Sequence, residues 1–196
     1  MGSQNKLLLE FKGRPLVTHV VETILAARPG EVIVVLGYEA ERVRSVLRDH
    51  PVAFVLNNRF SEGMTTSIHA GVRAAREDTI GYMICLADLP LIESWEFEEL
   101  VKVFHRANRA DERHIIVPYH DRQRGNPVMF PVHYKQAILS QQGSTGCRGL
   151  IEQNRELVVE VEMETNHVLV DVDTPSEWSL VQQPVEKLRR GPRPGP

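Results

Sequence analysis

The chain has 196 residues, 42% of them hydrophobic and 25% charged, which suits one α/β domain with a sizeable core. A net charge of −3 gives no electrostatic case for nucleic acid or an anionic membrane, and no run of about 18 apolar residues offers a membrane span. Two cysteines and eight scattered histidines support neither a disulfide scaffold nor a zinc site, and M-G-S-Q-N-K lacks a signal-peptide core, so a reducing cytoplasm is the expected location.

Leu7-Leu8-Leu9 with Phe11 reads as a short extended piece turned at Lys12-Gly13. Pro15 suits the first turn of a helix running to about Arg28, with Leu16, Val20, Ile24 and Ala27 on one apolar face. Val32 to Leu36 is a continuous β-branched run and hence a buried strand, followed by a helix from Glu39 to Asp49 and a strand at Phe54-Val55-Leu56. A polar loop, Asn57 to Gly63, leads into a helix from about Met64 to Arg76. Ile80 to Leu86 then reads as a strand buried on both faces, stopped near Asp88 because Pro90 cannot donate to a ladder and keeps Leu89 out of the helical region. This alternation of helix and strand argues for a parallel sheet with helices on both faces.

In the second half, a helix from Trp95 to Arg106 precedes a strand at Ile115-Ile116-Val117. The charged turn Tyr119 to Pro127 leads into the apolar run Val128-Met129-Phe130, a hairpin-like pair expected to form the far wall of a cleft. Helices at His133–Leu139 and Thr145–Gln153 bracket Gly143, and Leu157–Val161 and Val168–Val170 read as strands. Asp173 or Thr174, with Pro175, looks like the start of a last helix holding Trp178 and Leu180. Residues 1–181 thus form one domain, and the Pro-, Gly- and Arg-rich stretch 182–196 reads as a disordered tail.

Asp88 stands at the carboxyl end of a central strand, where open α/β sheets bind ligands; the alternative is a strand-end or helix-capping Asp. Asp171 and Asp173 end a second apolar run, and carboxylates meeting above a sheet edge are the hard oxygen donors Mg²⁺ needs. Lys6 could give phosphate a point charge, and Gly63-Met64-Thr65-Thr66-Ser67 puts free N–H groups and hydroxyls at a helix start. Solvated loop and helix cap are the plainer readings of these. Cys147 sits at a helix start, where the dipole could lower a thiol pKa, although an inert core cysteine is the expectation there and at Cys85.

Taken in order, N-K-L-L-L-x-F-x-G-R-P-L, V-I-V-V-L-G-Y, N-N-R-F-S-E-G-M-T-T-S-I-H-A-G-V, A-D-L-P-L-I, R-G-N-P-V-M-F-P and D-V-D-T-P-S-E-W resemble the MobA-like nucleotidyltransferases, and among them the molybdenum-cofactor cytidylyltransferases. The resemblance covers Met1 to about Leu180. It implies a three-layer Rossmann-like sandwich with a mostly parallel sheet, of the nucleotide-diphospho-sugar transferase type. It implies Mg²⁺-dependent transfer of a nucleoside monophosphate from an NTP, CTP ahead of GTP, to a phosphorylated acceptor such as molybdopterin, with release of pyrophosphate. By the same resemblance Lys6 binds the triphosphate and, with Asp88, carries the catalysis. Asp88 ligates the metal, Asp171 and Asp173 complete that site or contact the acceptor, and Asn57, Gly63 and Ser67 lie against the nucleotide. Asn126, Pro127 and Arg148 fall on the acceptor side.

Two departures stand out. The family's opening strand and loop, roughly L-A-A-G-x-S-x-R-M-G, is met here only at Met1-Gly2, so its first strand and glycine-rich loop are expected to be missing. The family's G-D-x-G-A-R appears as Gly143-Ser144-Thr145-Gly146-Cys147-Arg148, without its acidic residue. The competing reading is a truncated, non-catalytic nucleotide- or pterin-binding accessory protein of a molybdoenzyme. An NAD-dependent dehydrogenase is disfavoured, because no G-x-G-x-x-G follows any strand.

Overall fold

In the computed structural model, residues 5–144, 146–172, 177, 178 and 181 are described. Asn5 accepts the Leu7 N–H on its side-chain oxygen and caps a 3₁₀ turn, Lys6–Leu8. The extended piece expected there begins only afterwards, as a hairpin of β1 (Glu10–Phe11) and β2 (Arg14–Pro15). Lys12 and Gly13, both at positive φ, make its two-residue turn. Helix α1 (Leu16–Ala26) follows with Pro15 as its cap. Its residues serve two cores: Leu16, Val20 and Ile24 join the main cluster, and Val17 and Val21 join a smaller one with Leu36, Val43 and Leu47.

Strand β3 (Ile33–Leu36), helix α2 (Ala40–Leu47) and strand β4 (Ala53–Leu56) form one parallel crossover, with Ile33 opposite Ala53 and Leu36 opposite Leu56. Helix α3 (Met64–Ala74), strand β5 (Gly81–Ile84) and helix α4 (Ser94–Ala107) come next. Then follow β6 (Ile115–His120), β7 (Gln123–Arg124), β8 (Val128–Pro131), α5 (Lys135–Leu139), α6 (Arg148–Gln153) and β9 (Val158–Glu162). Strands β5, β6 and β9 share a direction, because β8 runs antiparallel to both β5 and β6 while β9 runs parallel to β6. The fold is the expected α/β sandwich with a mostly parallel arrangement, and β8 and the β6–β7 hairpin supply the reversal that the charged turn announced.

Two local expectations are corrected. Strand β5 stops at Ile84, and most of its apolar side chains are half-buried rather than enclosed on both faces; Ile80, just before it, is 60% exposed. The cause is that β3 and β5 do not pair: the strands form separate sheets, with a cleft of about 600 Å³ lined by Val34 and Val35 on one side and by Met83 and Cys85 on the other. Residues Val168–Val170 are not a strand, because Asn166–Leu169 is a 3₁₀ turn capped by the Thr165 hydroxyl. Among the described residues no strand pairs with this segment to reward extension, and Val168 instead lies in the main core. The start of the last expected helix, including Asp173, lies outside the described residues, as does 182–196. Among the described residues no helix is long and apolar enough to cross a membrane.

Candidate active site

Asp88 lies four residues past β5, on a turn whose next four residues, Leu89 to Ile92, are buried. The turn is tied down from both sides. His19 of α1 donates from Nε2 to the Pro90 carbonyl at 3.1 Å, and the Val172 N–H donates to the Asp88 carbonyl at 3.1 Å. The carboxylate that this backbone presents has two unlike oxygens. Oδ2 accepts a hydrogen bond from Lys6 Nζ at 2.6 Å, while Oδ1 is shielded from solvent and has no hydrogen-bond partner. A buried carboxylate oxygen left without a donor costs free energy unless a cation or water reaches it. Together with a hard oxygen donor, that fits a divalent metal bound through Oδ1.

The neighbouring strand places a second group at this edge. Ile84 is paired with Val128, so the antiparallel register continued two residues sets Leu86 against Asn126. Asn126 donates its backbone N–H to the Val168 carbonyl at 3.0 Å, and the Asn126-Pro127 peptide is cis. Residues 168–172 therefore run from Asn126 to Asp88 and bring Asp171 beside the carboxylate's own backbone. The second expected partner, Asp173, lies outside the described residues. Among the described residues no cluster of three or more His, Cys, Asp or Glu is arranged to hold a metal.

Across the cleft lies the loop after β4. Asn57 is 6% exposed and is occupied internally: its Nδ2 donates to Thr66 Oγ1 at 2.9 Å and Ser67 Oγ at 3.0 Å, and its Oδ1 accepts the Arg59 N–H. It shapes the loop rather than offering free donors to a ligand. Gly63 has φ 111°, and a Cβ there would stand 2.6 Å from Ser144 Cβ. Thr65 accepts the Gly146 N–H at 3.0 Å. The loop from Gly143 towards Arg148 is thus docked on the start of α3, which places exposed Arg148, first residue of α6, near that helix. Ser67 of α3 and Ala87 line the same cleft, so the start of α3 and the Asp88 turn flank one opening.

Burial pushes the Cys85 thiol up to about 12 and the Cys147 thiol up to about 11, so neither forms appreciable thiolate near neutrality. The sequence reading missed Glu96, which is fully buried on α4 and meets Thr165 and His167. Its only sequence signal is the spacing Glu93-x-x-Glu96, a capping box that says nothing of those distant partners.

The MobA-like NTP transferase domain family matches residues 1–158. The nicotine blue oxidoreductase of Paenarthrobacter nicotinovorans is 30% identical over 177 residues, 89% of this chain and 86% of that protein. The molybdenum cofactor guanylyltransferase of Vibrio campbellii is 26% identical over 194 residues, 97% of this chain and 88% of that one. Two crystal structures of Rv0371c from Mycobacterium tuberculosis H37Rv, one a complex with manganese, superpose with TM-scores of 0.80 and 0.78 at 19% identity. Each alignment covers 92% of this chain, with 89% and 92% of the respective partner, and shows a shared fold.

Proposed function

This chain belongs to the MobA-like NTP transferase domain family, and from that premise we propose that it transfers a nucleoside monophosphate from an NTP to a phosphorylated acceptor and releases pyrophosphate. The observation that carries this reading is the Asp88 carboxylate, with Lys6 on one oxygen and the buried other oxygen without a partner. An acceptor phosphate oxygen attacks the α-phosphorus, the bond from that phosphorus to the bridging oxygen breaks, and pyrophosphate leaves with the electron pair. Such a reaction asks the protein for positioning and charge neutralisation rather than a covalent intermediate. Lys6 sets a positive charge against the triphosphate, while the turn of α3 at Gly63 and Ser67 borders the nucleotide. Asn126, Pro127 and Arg148 face the acceptor.

Asp88, with Asp171 and Asp173, would hold a divalent cation, which supplies Lewis-acid stabilisation of phosphate charge when bound. Mg²⁺ is the proposed ion, CTP the proposed donor ahead of GTP, and molybdopterin the proposed acceptor. The guanylyltransferase relative makes GTP the competitor to include.

The experiment is pyrophosphate release from CTP and GTP, with Mg²⁺ or Mn²⁺ and molybdopterin, by the wild-type chain and Asp88→Asn. Loss of at least about 100-fold in rate in the variant is expected, a size typical of removing one charge-stabilising group. Full activity in Asp88→Asn would rule out the metal assignment. Calorimetric NTP binding without turnover would favour the accessory-protein reading.

A second reading is favoured by one observation, the 30% identity to a nicotine blue oxidoreductase. It predicts a redox reaction on a substrate of that kind. Loss of the visible absorbance of nicotine blue in the presence of a reduced electron donor, and no pyrophosphate release, would decide for it.

A further inference from the structure

We propose that Glu96, Thr165 and His167 form a latch that positions the acceptor side of the site relative to Asp88; the proposal rests on the nucleotidyl-transfer reading above. Glu96 is 0% exposed. Its Oε2 accepts the Glu93 N–H at 2.8 Å, as part of the capping box that starts α4, and also the His167 Nδ1–H at 2.9 Å. Its Oε1 accepts the Thr165 hydroxyl at 2.6 Å. One buried carboxylate is therefore satisfied by three donors, two of them about 70 positions away in the chain.

A capping box needs only the first of these contacts, so the other two ask for a further account. Thr165 and His167 lie on the strap that runs from β9 to Asp171. The strap is fixed at Met163, whose N–H donates to the Tyr119 carbonyl at 2.7 Å and whose carbonyl accepts from His120 Nδ1 at 2.9 Å. Beyond the latch it makes two contacts to the site: the Val168 carbonyl accepts the Asn126 N–H, and the Val172 N–H donates to the Asp88 carbonyl. Val168 is also pressed against Gly125, where an added Cβ would sit 2.7 Å from the valine side chain.

Among the described residues the strap pairs with no strand beyond Met163, so its course is held by isolated backbone hydrogen bonds and by side chains. Glu96 is the buried group that holds its middle. Because Glu96 follows Asp88 by eight residues, on the helix that the Asp88 turn feeds, the latch ties the depth of Asn126 to the same segment that carries Asp88. Glu96 and His167 touch neither substrate in this account. They are positioning residues, and their effect should fall on acceptor binding rather than nucleotide binding.

The test combines hydrogen exchange with steady-state kinetics on the full chain, using His167→Ala, Thr165→Val and His167→Asn, the last of which keeps a donor near the Nδ1 position. Glu96→Gln is added as a variant that can still close the capping box. In His167→Ala and Thr165→Val, exchange at the Asn126 and Val172 amides is expected to rise about 10- to 100-fold, the equivalent of one lost hydrogen bond to a charged group. The amides of Ile116 and Val117 should not change. The KM for molybdopterin should rise by about the same factor while the KM for the NTP stays within about twofold, and His167→Asn should restore both. Unchanged exchange at Asn126 and Val172 in His167→Ala would overturn the latch. Absence of turnover in the wild-type chain would instead overturn the functional reading, since the exchange measurement does not depend on activity.

Discussion

Lys6 and Asp88 are 82 positions apart in sequence and 2.6 Å apart in space. Neither residue type announces that pairing locally, and the ordered pattern that holds N-K-L-L-L and A-D-L-P gave the two residues separate roles, at the triphosphate and at the metal. Glu96 shows the opposite case. Its capping-box spacing is visible, but the histidine and threonine it meets come from the strap, and no periodicity connects them. His19 is a third residue whose work was not legible, since on an amphipathic helix it reads as a surface side chain. It packs edge-on against Phe11 and donates to the Pro90 carbonyl behind Asp88. Burial, then the nearby Lys12 charge, lowers its pKa below the usual histidine value. A group whose pKa is depressed by folding stabilises the native state above its unfolded pKa, and that contribution is lost as pH falls. Urea midpoints measured from pH 7.5 down to 5 should therefore fall more steeply for the wild-type chain than for His19→Gln. Parallel curves would show that His19 does not contribute to the pH dependence.

Among elements, those with a strong period came out close to their expected places: α1, α2, α3 and α4 lie within a few residues of where apolar spacing and Pro or Gly stops put them. The errors have a common cause. Apolar runs such as Ile80–Leu86 and Val168–Val170 state a preference for extension, but what they become depends on whether another strand lies alongside. The start of α3 illustrates tertiary contact setting a local choice. Gly63 is needed there on two grounds, a left-handed φ and the Ser144 side chain that faces it. Gly63→Ala should lower unfolding stability by about 1–3 kcal/mol and weaken calorimetric NTP binding. Gly13→Ala, also at positive φ but with nothing within 4 Å, should show the backbone cost alone. Equal losses in the two variants would mean that the contact with Ser144 carries no weight.

At the scale of the whole molecule, the alternation of helices and strands gave the α/β class, and the charged turn at Tyr119–Pro127 gave the reversal in the second half. The division of the strands is not visible in the apolar runs themselves, because edge pairing is a long-range property and β3 and β5 look alike; only the departure from the family's opening pattern bears on it. The cleft between them has a consequence for how the chain unfolds. Val17, Val21, Leu36, Val43 and Leu47 form a core of their own around β3, β4 and α2, while most of the remaining core belongs to the two clusters around the other sheet. Without a ladder across the cleft, the two parts are joined mainly through side chains of α1 and α3, so cooperativity should fail between them. Denaturant should melt the β3–α2–β4 crossover first, as a separate foldon. Trp95 lies in the first turn of α4 and Trp178 packs on the main core, so tryptophan fluorescence should report a later transition than far-UV circular dichroism. Coincident curves would mean that the helices alone transmit the full cooperativity of the fold.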